Sequence, residues 1–318
     1  MAIPSSGPIT LTDIQTEFGG TNPIGLSEYY AGGGLVPTGT IGTYGAVPSS
    51  GAIALRNFYG ASNLFTFSLT SGTDLNLRTQ ALAAGWNGTA SLLATIPAGN
   101  LIQASSTGVY ALTINGSFPA GVTLVNNGTI EGRGGDGGTG GAAFNSSASP
   151  AAPGTGGGPA LLVSVASTIN NASGVISGGG GGGGGGASIS IGYGKGGRYP
   201  VGGGGGGGGI GISLAGAGGS ASGGAVNYPG GVGTAGTLIA NGTGGGGGYF
   251  PSGGAYGGAG GAGGSYGSSG ASGGGSGYST GAIPYYGALG AGGAAGTCLS
   301  GNSNITWIAT GTRYGAIV

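Results

Sequence analysis

Glycine recurs at two densities in the second half of the chain, and the pattern leaves few folds open. Residues 178–186 and 202–209 are unbroken glycine runs. Elsewhere glycine takes every third position: Gly258, Gly261, Gly264, Gly267, Gly270 and Gly273, then Gly287, Gly290, Gly293 and Gly296. Shorter series are Gly230, Gly233, Gly236 and Gly242, Gly245, Gly248. Period three is that of the polyproline II helix, which rises about 3.1 Å per residue and makes no internal hydrogen bonds. A row of glycines at that period strips one edge of side chains, so two such helices can approach and bond through their amides and carbonyls. Ordering a residue costs roughly 1–2 kcal/mol of backbone entropy, and glycine costs more. Dense hydrogen bonding between segments must offset this, at about 0.5–1.5 kcal/mol net per bond, helped by tight packing.

Other readings of a glycine-rich chain fit less well. Glycine supplies 92 of 318 residues but proline only 14, which excludes collagen. Disordered chains are charged and poor in apolar residues. This one has 15 Tyr, 7 Phe and 2 Trp, and a mean hydropathy of +0.25. Six basic and six acidic residues leave net charge zero and no basic stripe, so nucleic acid is not an expected partner. Histidine is absent, which removes the common catalytic triads and histidine metal sites. The single Cys298 makes neither a zinc site nor an intrachain disulfide. The opening residues MAIPSSGPIT lack the cationic and apolar regions of a signal peptide, and no apolar stretch of about 18 residues is present. No cofactor and no metal are expected.

Four regions follow from composition. Residues 1–63 contain a repeat: Ile3-Pro4-Ser5-Ser6-Gly7-Pro8-Ile9-Thr10-Leu11 returns as Val47-Pro48-Ser49-Ser50-Gly51-Ala52-Ile53-Ala54-Leu55. Thr12 is placed to cap a brief helix, with Asp13 near its start. So short a segment builds little core alone, which predicts docking onto a partner chain or onto its own copies. Residues 64–176 read as β, in short apolar runs parted by Gly, Asn and Pro. Within them Val125-Asn126-Asn127-Gly128-Thr129-Ile130-Glu131-Gly132 resembles Ile169-Asn170-Asn171-Ala172-Ser173-Gly174-Val175-Ile176. Strand, asparagine turn, second apolar pair and glycine is how a coil of a parallel β-solenoid reads, and this reading is set above an ordinary sandwich. Residues 177–300 are the glycine-rich polyproline II region, and 301–318 return to β character as a closing segment with Trp307 over an end of the core. The expected fold is therefore all-β and polyproline II: an N-terminal anchor, a β-rich, solenoid-like middle, and packed polyglycine II helices towards the C-terminus.

Few residues suggest chemistry. The many Gly-x-Gly-x-x-Gly matches follow from composition, without the βαβ context a nucleotide site needs. Glu131 and Asp136 form a conceivable glycosidase pair, but EGRGGDGG reads better as solvated charges around Arg133. The tyrosines carry more. Tyr193, Lys195, Arg198, Tyr199, Tyr228, Tyr249, Phe250, Tyr285 and Tyr286 stand where glycine runs break, beside Pro and Gly, which suggests turns joining adjacent extended helices. Loop tyrosines suit recognition by ring stacking and hydroxyl hydrogen bonds, and they equally suit capping of the glycine layers.

The N-terminal pattern through Phe18-Gly19-Gly20, Asn22-Pro23-Ile24, Leu26-Ser27-Glu28-Tyr29-Tyr30 and Asn57-Phe58-Tyr59-Gly60 resembles the leader of virion proteins of tailed phages of aquatic bacteria. Ala84-Gly85-Trp86-Asn87-Gly88, Gly128-Thr129-Ile130-Glu131-Gly132-Arg133 and Thr312-Arg313-Tyr314-Gly315 are similar to glycine-rich phage tail-fibre proteins, and the glycine region to the polyglycine sandwich of phage adhesins. The resemblance implies a non-enzymatic virion fibre on the particle exterior, made in the host cytoplasm. It would bind a surface polysaccharide or outer-membrane protein during adsorption. The alternative is a structural or decoration fibre of head, collar or baseplate; a depolymerase or an ice-binding protein fits less. Ile9, Leu11, Phe18, Tyr29, Tyr30, Phe58 and Tyr59 become the virion-anchoring candidates, other tail or baseplate proteins the partners, and a homotrimer the expected oligomer.

Overall fold

The computed structural model describes residues 3–192, 198–224, 226–279 and 283–318. It is mostly β with little helix. Three parallel five-stranded sheets form its base. The first stacks Leu64–Ser68, Ser91–Ile96, Val122–Asn126, Ser167–Asn170 and Ile305–Ala309. The second stacks Gly72–Thr73, Leu101–Gln103, Thr129–Glu131, Val175–Ser177 and Thr312–Tyr314. The third stacks Leu75–Asn76, Leu112–Ile114, Leu161–Val163, Thr297–Ser300 and Ala316–Ile317. In chain order each turn gives one strand to each sheet, five turns in all.

The alternation read from the sequence is what aligns these turns. Period-two strands send every second side chain inward. The parallel register then stacks like on like: Ile102, Ile130 and Ile176 in one column, Leu112, Leu161 and Leu299 in another. All six are fully buried in one core. Asparagine fixes the corners: Asn126 Nδ2 donates to Asn171 Oδ1 at 2.7 Å, and Asn171 Nδ2 donates to Thr310 O at 2.8 Å, one turn further on. A short helix, Leu77–Ala83, starts at Asn76, whose side chain accepts from Thr79 N, and closes the first turn with Leu77 and Ala81 buried. Trp307 lies in the outermost strand of the first sheet, packed partly against the core, with the Arg313 guanidinium 5.0 Å from its ring centroid.

Two long excursions leave this stack at the same corner, between the second and third sheets. One is 132–160 and the other 178–296. The glycine-rich body therefore draws on 132–160, which composition had grouped with the β-rich region, and the strands after 296 resume the stack. The physical reason is the hydrogen-bond ladder: Gly132 N donates to Ser177 O and Gly178 N to Tyr314 O, both at 2.9 Å, so sheet spacing continues into the glycine segments.

Within that body the run 178–187 has six neighbouring segments. It donates to 204–210 (Gly180, Gly183 and Gly186), to 152–158 (Gly179, Gly182 and Gly185) and to 268–274 (Gly181, Gly184 and Ala187). It accepts from 135–141, from 258–264 and from 290–296, again one residue in three for each. Run 202–210 is surrounded in the same way, by 135–141, 180–186, 216–219, 228–234, 242–248 and 258–264. Every residue of both runs therefore faces another backbone. A Cβ on Gly183 would lie 2.0 Å from Gly261 O, and one on Gly206 2.0 Å from Gly183 O. The outer segments meet fewer neighbours and need glycine only on their inward edge. In 287–296, Gly290 and Gly293 point in while Leu289 is exposed. Unbroken runs mark the centre, and period three marks the rim.

The N-terminal segment differs from expectation: it buries a core of its own around Ile3, Ile9, Ile14, Phe18, Tyr29, Val36, Val47, Phe58 and Ala61. Three local copies build it. Pro8-Ile9-Thr10-Leu11-Thr12-Asp13-Ile14, Pro23-Ile24-Gly25-Leu26-Ser27-Glu28-Tyr29 and Ala52-Ile53-Ala54-Leu55-Arg56-Asn57-Phe58 each start a helical turn. In each, the side chain three residues on accepts from the cap's backbone N–H: Asp13 from Thr10 at 2.7 Å, Glu28 from Gly25 at 2.9 Å, Asn57 from Ala54 at 2.8 Å. The next residue, Ile14, Tyr29 or Phe58, is fully buried. The helix Leu11–Phe18 is thus capped by Thr10, not Thr12. Tyr30 and Tyr59 hydroxyls donate to Gly51 O and Gly7 O, pinning the two Pro-Ser-Ser-Gly turns.

Candidate functional site

Hydrogen-bond directions fix which loops lie together. Segments 132–141 and 268–274 run parallel to 178–187, while 149–158, 202–210, 258–264 and 287–296 run antiparallel to it. The chain enters and leaves the sheets at 132, 160, 178 and 296, all at one end. The described residues of the connections 142–148, 189–201, 220–228, 249–256 and 276–286 therefore gather at the opposite end. Those at 211–214, 237–241 and 265–268 turn back on the sheet side.

At the far end Ile189–Gly192 is the middle strand of an antiparallel sheet, between Arg198–Val201 and Ile283–Tyr286. One face carries Ile189, Ile191, Tyr199 and Val201 towards Phe250 and Ala255. Tyr199 stacks on Phe250 with ring centroids 4.3 Å apart, and Tyr228 leans on Phe250 at 5.3 Å. On the other face Arg198 and Tyr285 stand on either side of Ser190 and Gly192, and the guanidinium lies 4.7 Å from the Tyr285 ring centroid. Ser190 Oγ donates to Asn145 O at 3.2 Å, tying in the 142–148 hairpin.

The sequence-derived candidates thus divide. Tyr199, Tyr228 and Phe250 pack together as a support, while Tyr249, Tyr285 and Tyr286 are exposed at 56%, 40% and 54%. Arg198 stands on the Tyr285 side. Tyr193 and Lys195 lie outside the described residues. Sequence reasoning missed Phe144 and left Tyr256, one of the tyrosines of the glycine-rich part, out of the candidates; both are exposed at the same end. Phe144 sits in a hairpin, Ala143–Phe144 with Ser147–Ala148, that composition assigned elsewhere; the signal that finds it is the glycine period of 132–141. Tyr278 packs beside Tyr286 at 6.1 Å.

The anchoring candidates sit differently from a presented surface. Ile9, Phe18, Tyr29 and Phe58 are buried in the segment's own core, with Leu11 and Tyr59 packed against it. What the segment turns outward is the hairpin Ile41–Gly42 with Gly45–Ala46, where Ile41 and Tyr44 are exposed.

Glu131 is no solvated charge. It is 1% exposed at the junction of sheets and glycine body, its Oε1 has no hydrogen-bond partner, and burial pushes its carboxyl up to about 7. Tyr266 nearby is pushed up to about 12 by its own burial and by the Glu131 charge. Asp136 instead accepts from Leu214 N at 2.7 Å and stands 3.8 Å from Arg133. The two carboxyls thus hold structural places on the sheet side, away from the aromatic loops. Among the described residues no group of three or more His, Cys, Asp or Glu could hold a metal ion.

A β body carrying an aromatic, loop-built tip on a glycine scaffold defines a binding protein of fibre type. The family model of the phage tail fibre adhesin Gp38 matches residues 64–318, most of the chain, and the chain belongs to that family. It is a phage tail fibre adhesin, a host-attachment component of the virion tail. No curated protein matches it. The structure described as the gp37-gp38 adhesin tip complex of the bacteriophage S16 long tail fibre is similar at a TM-score of 0.49 and 22% identity, over 99% of this chain and 100% of that one.

Proposed function

We propose that the five far-end loops are the surface that meets the host receptor, and that residues 1–63 join the chain to other tail or baseplate proteins. The observation that carries this reading is the segregation of all five connections to the end opposite the sheets. In the same reading the sheet stack is a parallel β-solenoid and the glycine segments are polyglycine II helices. Their period-three bonding to six neighbours supports the second assignment. At about 3.1 Å per residue, ten residues of such a helix hold the loops about 30 Å beyond the sheets. Assembly into a homotrimer belongs to the reading as well. The exposed Ile41 and Tyr44 supply apolar surface for it, and the mass of the purified full chain in solution tests it.

Labelled full-length protein should bind host cells and compete with phage adsorption. The double variant Tyr285→Ala/Tyr286→Ala should lose that competition while its melting temperature stays put. Unchanged competition by the double variant, and by a second variant with Tyr249 and Tyr256 both changed to Ala, would assign these loops to capping alone. The chain would then serve through some other surface.

A further inference from the structure

We infer that the far-end loops select an anionic group on a bacterial surface polysaccharide, held by the guanidinium of Arg198 on its Tyr285 platform. The inference rests on the reading that these loops meet the host, and it names what they meet.

The charge distribution points there. All six acidic residues, Asp13, Glu17, Glu28, Asp74, Glu131 and Asp136, precede residue 142, in the N-terminal segment, the sheets or the sheet side of the glycine body. The sequences of the five far-end loops hold no Asp and no Glu. Arg198 is a cation there with no carboxylate in reach of its own loops. An arginine of purely structural use is ordinarily paired with a carboxylate or with carbonyls. Here Nη1 is buried and makes no hydrogen bond.

Geometry makes the cation a usable one. Gly192 sits opposite Arg198 in the register, and a Cβ at Gly192 would come 3.4 Å from Arg198 Cγ and 3.5 Å from Cζ. Glycine there lets the arginine lie across the middle strand and meet Tyr285 on the far edge, 4.7 Å from the ring centroid. A guanidinium stacked on a ring is pre-oriented and offers its planar edge to a carboxylate or phosphate. Beside it Tyr285 is exposed, while Tyr286, opposite Ile189 in the register, lies on the other face. Rings stack on the C–H face of a pyranose, and hydroxyls bond to its oxygens. The 142–148 hairpin covers this face at Ser190, which is fully buried, so a ligand is met at the sheet edge, where Tyr285 is exposed.

The test uses the full-length protein and surface polysaccharide extracted from the host bacterium, in three forms: native, carboxyl-reduced, and dephosphorylated with hydrofluoric acid. Native polysaccharide should bind, and one of the two treatments should weaken binding about tenfold or more, which also says whether the anion is carboxylate or phosphate. Arg198→Gln should lose a comparable factor. Arg198→Lys should recover only part of it, because a point charge replaces the planar fork. Both variants should melt as the parent does. Equal binding of all three forms, or an unaltered Arg198→Gln, overturns the inference while leaving the adhesin reading intact. So does loss of cell binding after protease treatment of the cells, which marks a protein receptor. Failure of the parent protein to bind untreated host cells overturns the adhesin reading itself.

Discussion

Replacing Glu131 by glutamine tests the junction between sheets and glycine body. The carboxyl is 1% exposed, Oε1 is unpartnered, and burial moves it from its ordinary 4.5 to about 7. The groups around it are not cations: Gly211 packs so close that a Cβ there would stand 3.0 Å from Oε1, and Tyr266 is the titrating neighbour. Arg133, two residues on, spends its guanidinium on Ser105 O at 3.3 Å and on Asp136. Between pH 4.5 and about 7 the folded chain therefore holds a proton that the unfolded chain has released, and stability falls as pH rises through that window. At 1.36 kcal/mol per pH unit the loss is about 3 kcal/mol. For a chain this long that is about 5 °C in melting temperature. Glu131→Gln cannot ionise. Its melting temperature should stay level from pH 4.5 to 8, while the parent's drops. The amide's added N–H donors cost it something at low pH, about 1–3 kcal/mol if unsatisfied, so the slope is the informative quantity and not the offset. A variant that keeps the parent's slope would refute the argument. Asp13, exposed and held below its ordinary value by hydrogen bonds from Thr10, acts with the opposite sign.

Three further substitutions probe the scaffold. Gly183→Ala places a methyl 2.0 Å from Gly261 O in the centre of the glycine body and should cost more than about 3 kcal/mol, whereas Gly246→Ala, with nothing within 4 Å, should change the melting temperature little. Asn126→Ala strips Gly128 N of its 3.1 Å acceptor and Asn171 Oδ1 of its 2.7 Å donor, and should cost about 2–3 kcal/mol by thermal melting.

What the sequence disclosed depended on how local the physics was. Glycine at period three bares one edge of an extended segment within a few residues, so the close packing of glycine segments was legible. So was the asparagine corner, because Asn126 and Asn171 each sit in a repeated local phrase. The position of the body inside the stack was not legible. Leu161–Val163 and Thr297–Ser300 are neighbours in one sheet only through register with strands far away in sequence. The anchor shows the same limit from the other side. Two copies were visible because Pro-Ser-Ser-Gly repeats literally, while the third lacks that turn and keeps Pro23, Ile24, Leu26, the acceptor Glu28 and the buried Tyr29. The aromatic candidates were found at the breaks between glycine runs. Which of them support and which are presented depended on pairing across the sheet, as with Tyr199 on Phe250 and Arg198 on Tyr285.

The insertion point has a mechanical consequence. A binding module joined by one linker swings about it and can be lost to a single cut. Here four chain crossings, at 132, 160, 178 and 296, enter the glycine body from one corner of the stack. The ladder is unbroken across them: Ala104 N donates to Glu131 O, Gly132 N to Ser177 O, Gly178 N to Tyr314 O, and Ala160 N to Thr297 O, all within 2.9–3.0 Å. Bending the tip against the base would therefore break sheet and glycine bonds together. The far-end loops, by contrast, contribute few of those bonds, so their side chains can change without disturbing the body that aims them. Exposed loop residues on such a scaffold are free to vary, while the glycines at 178–186 and 202–209 are not.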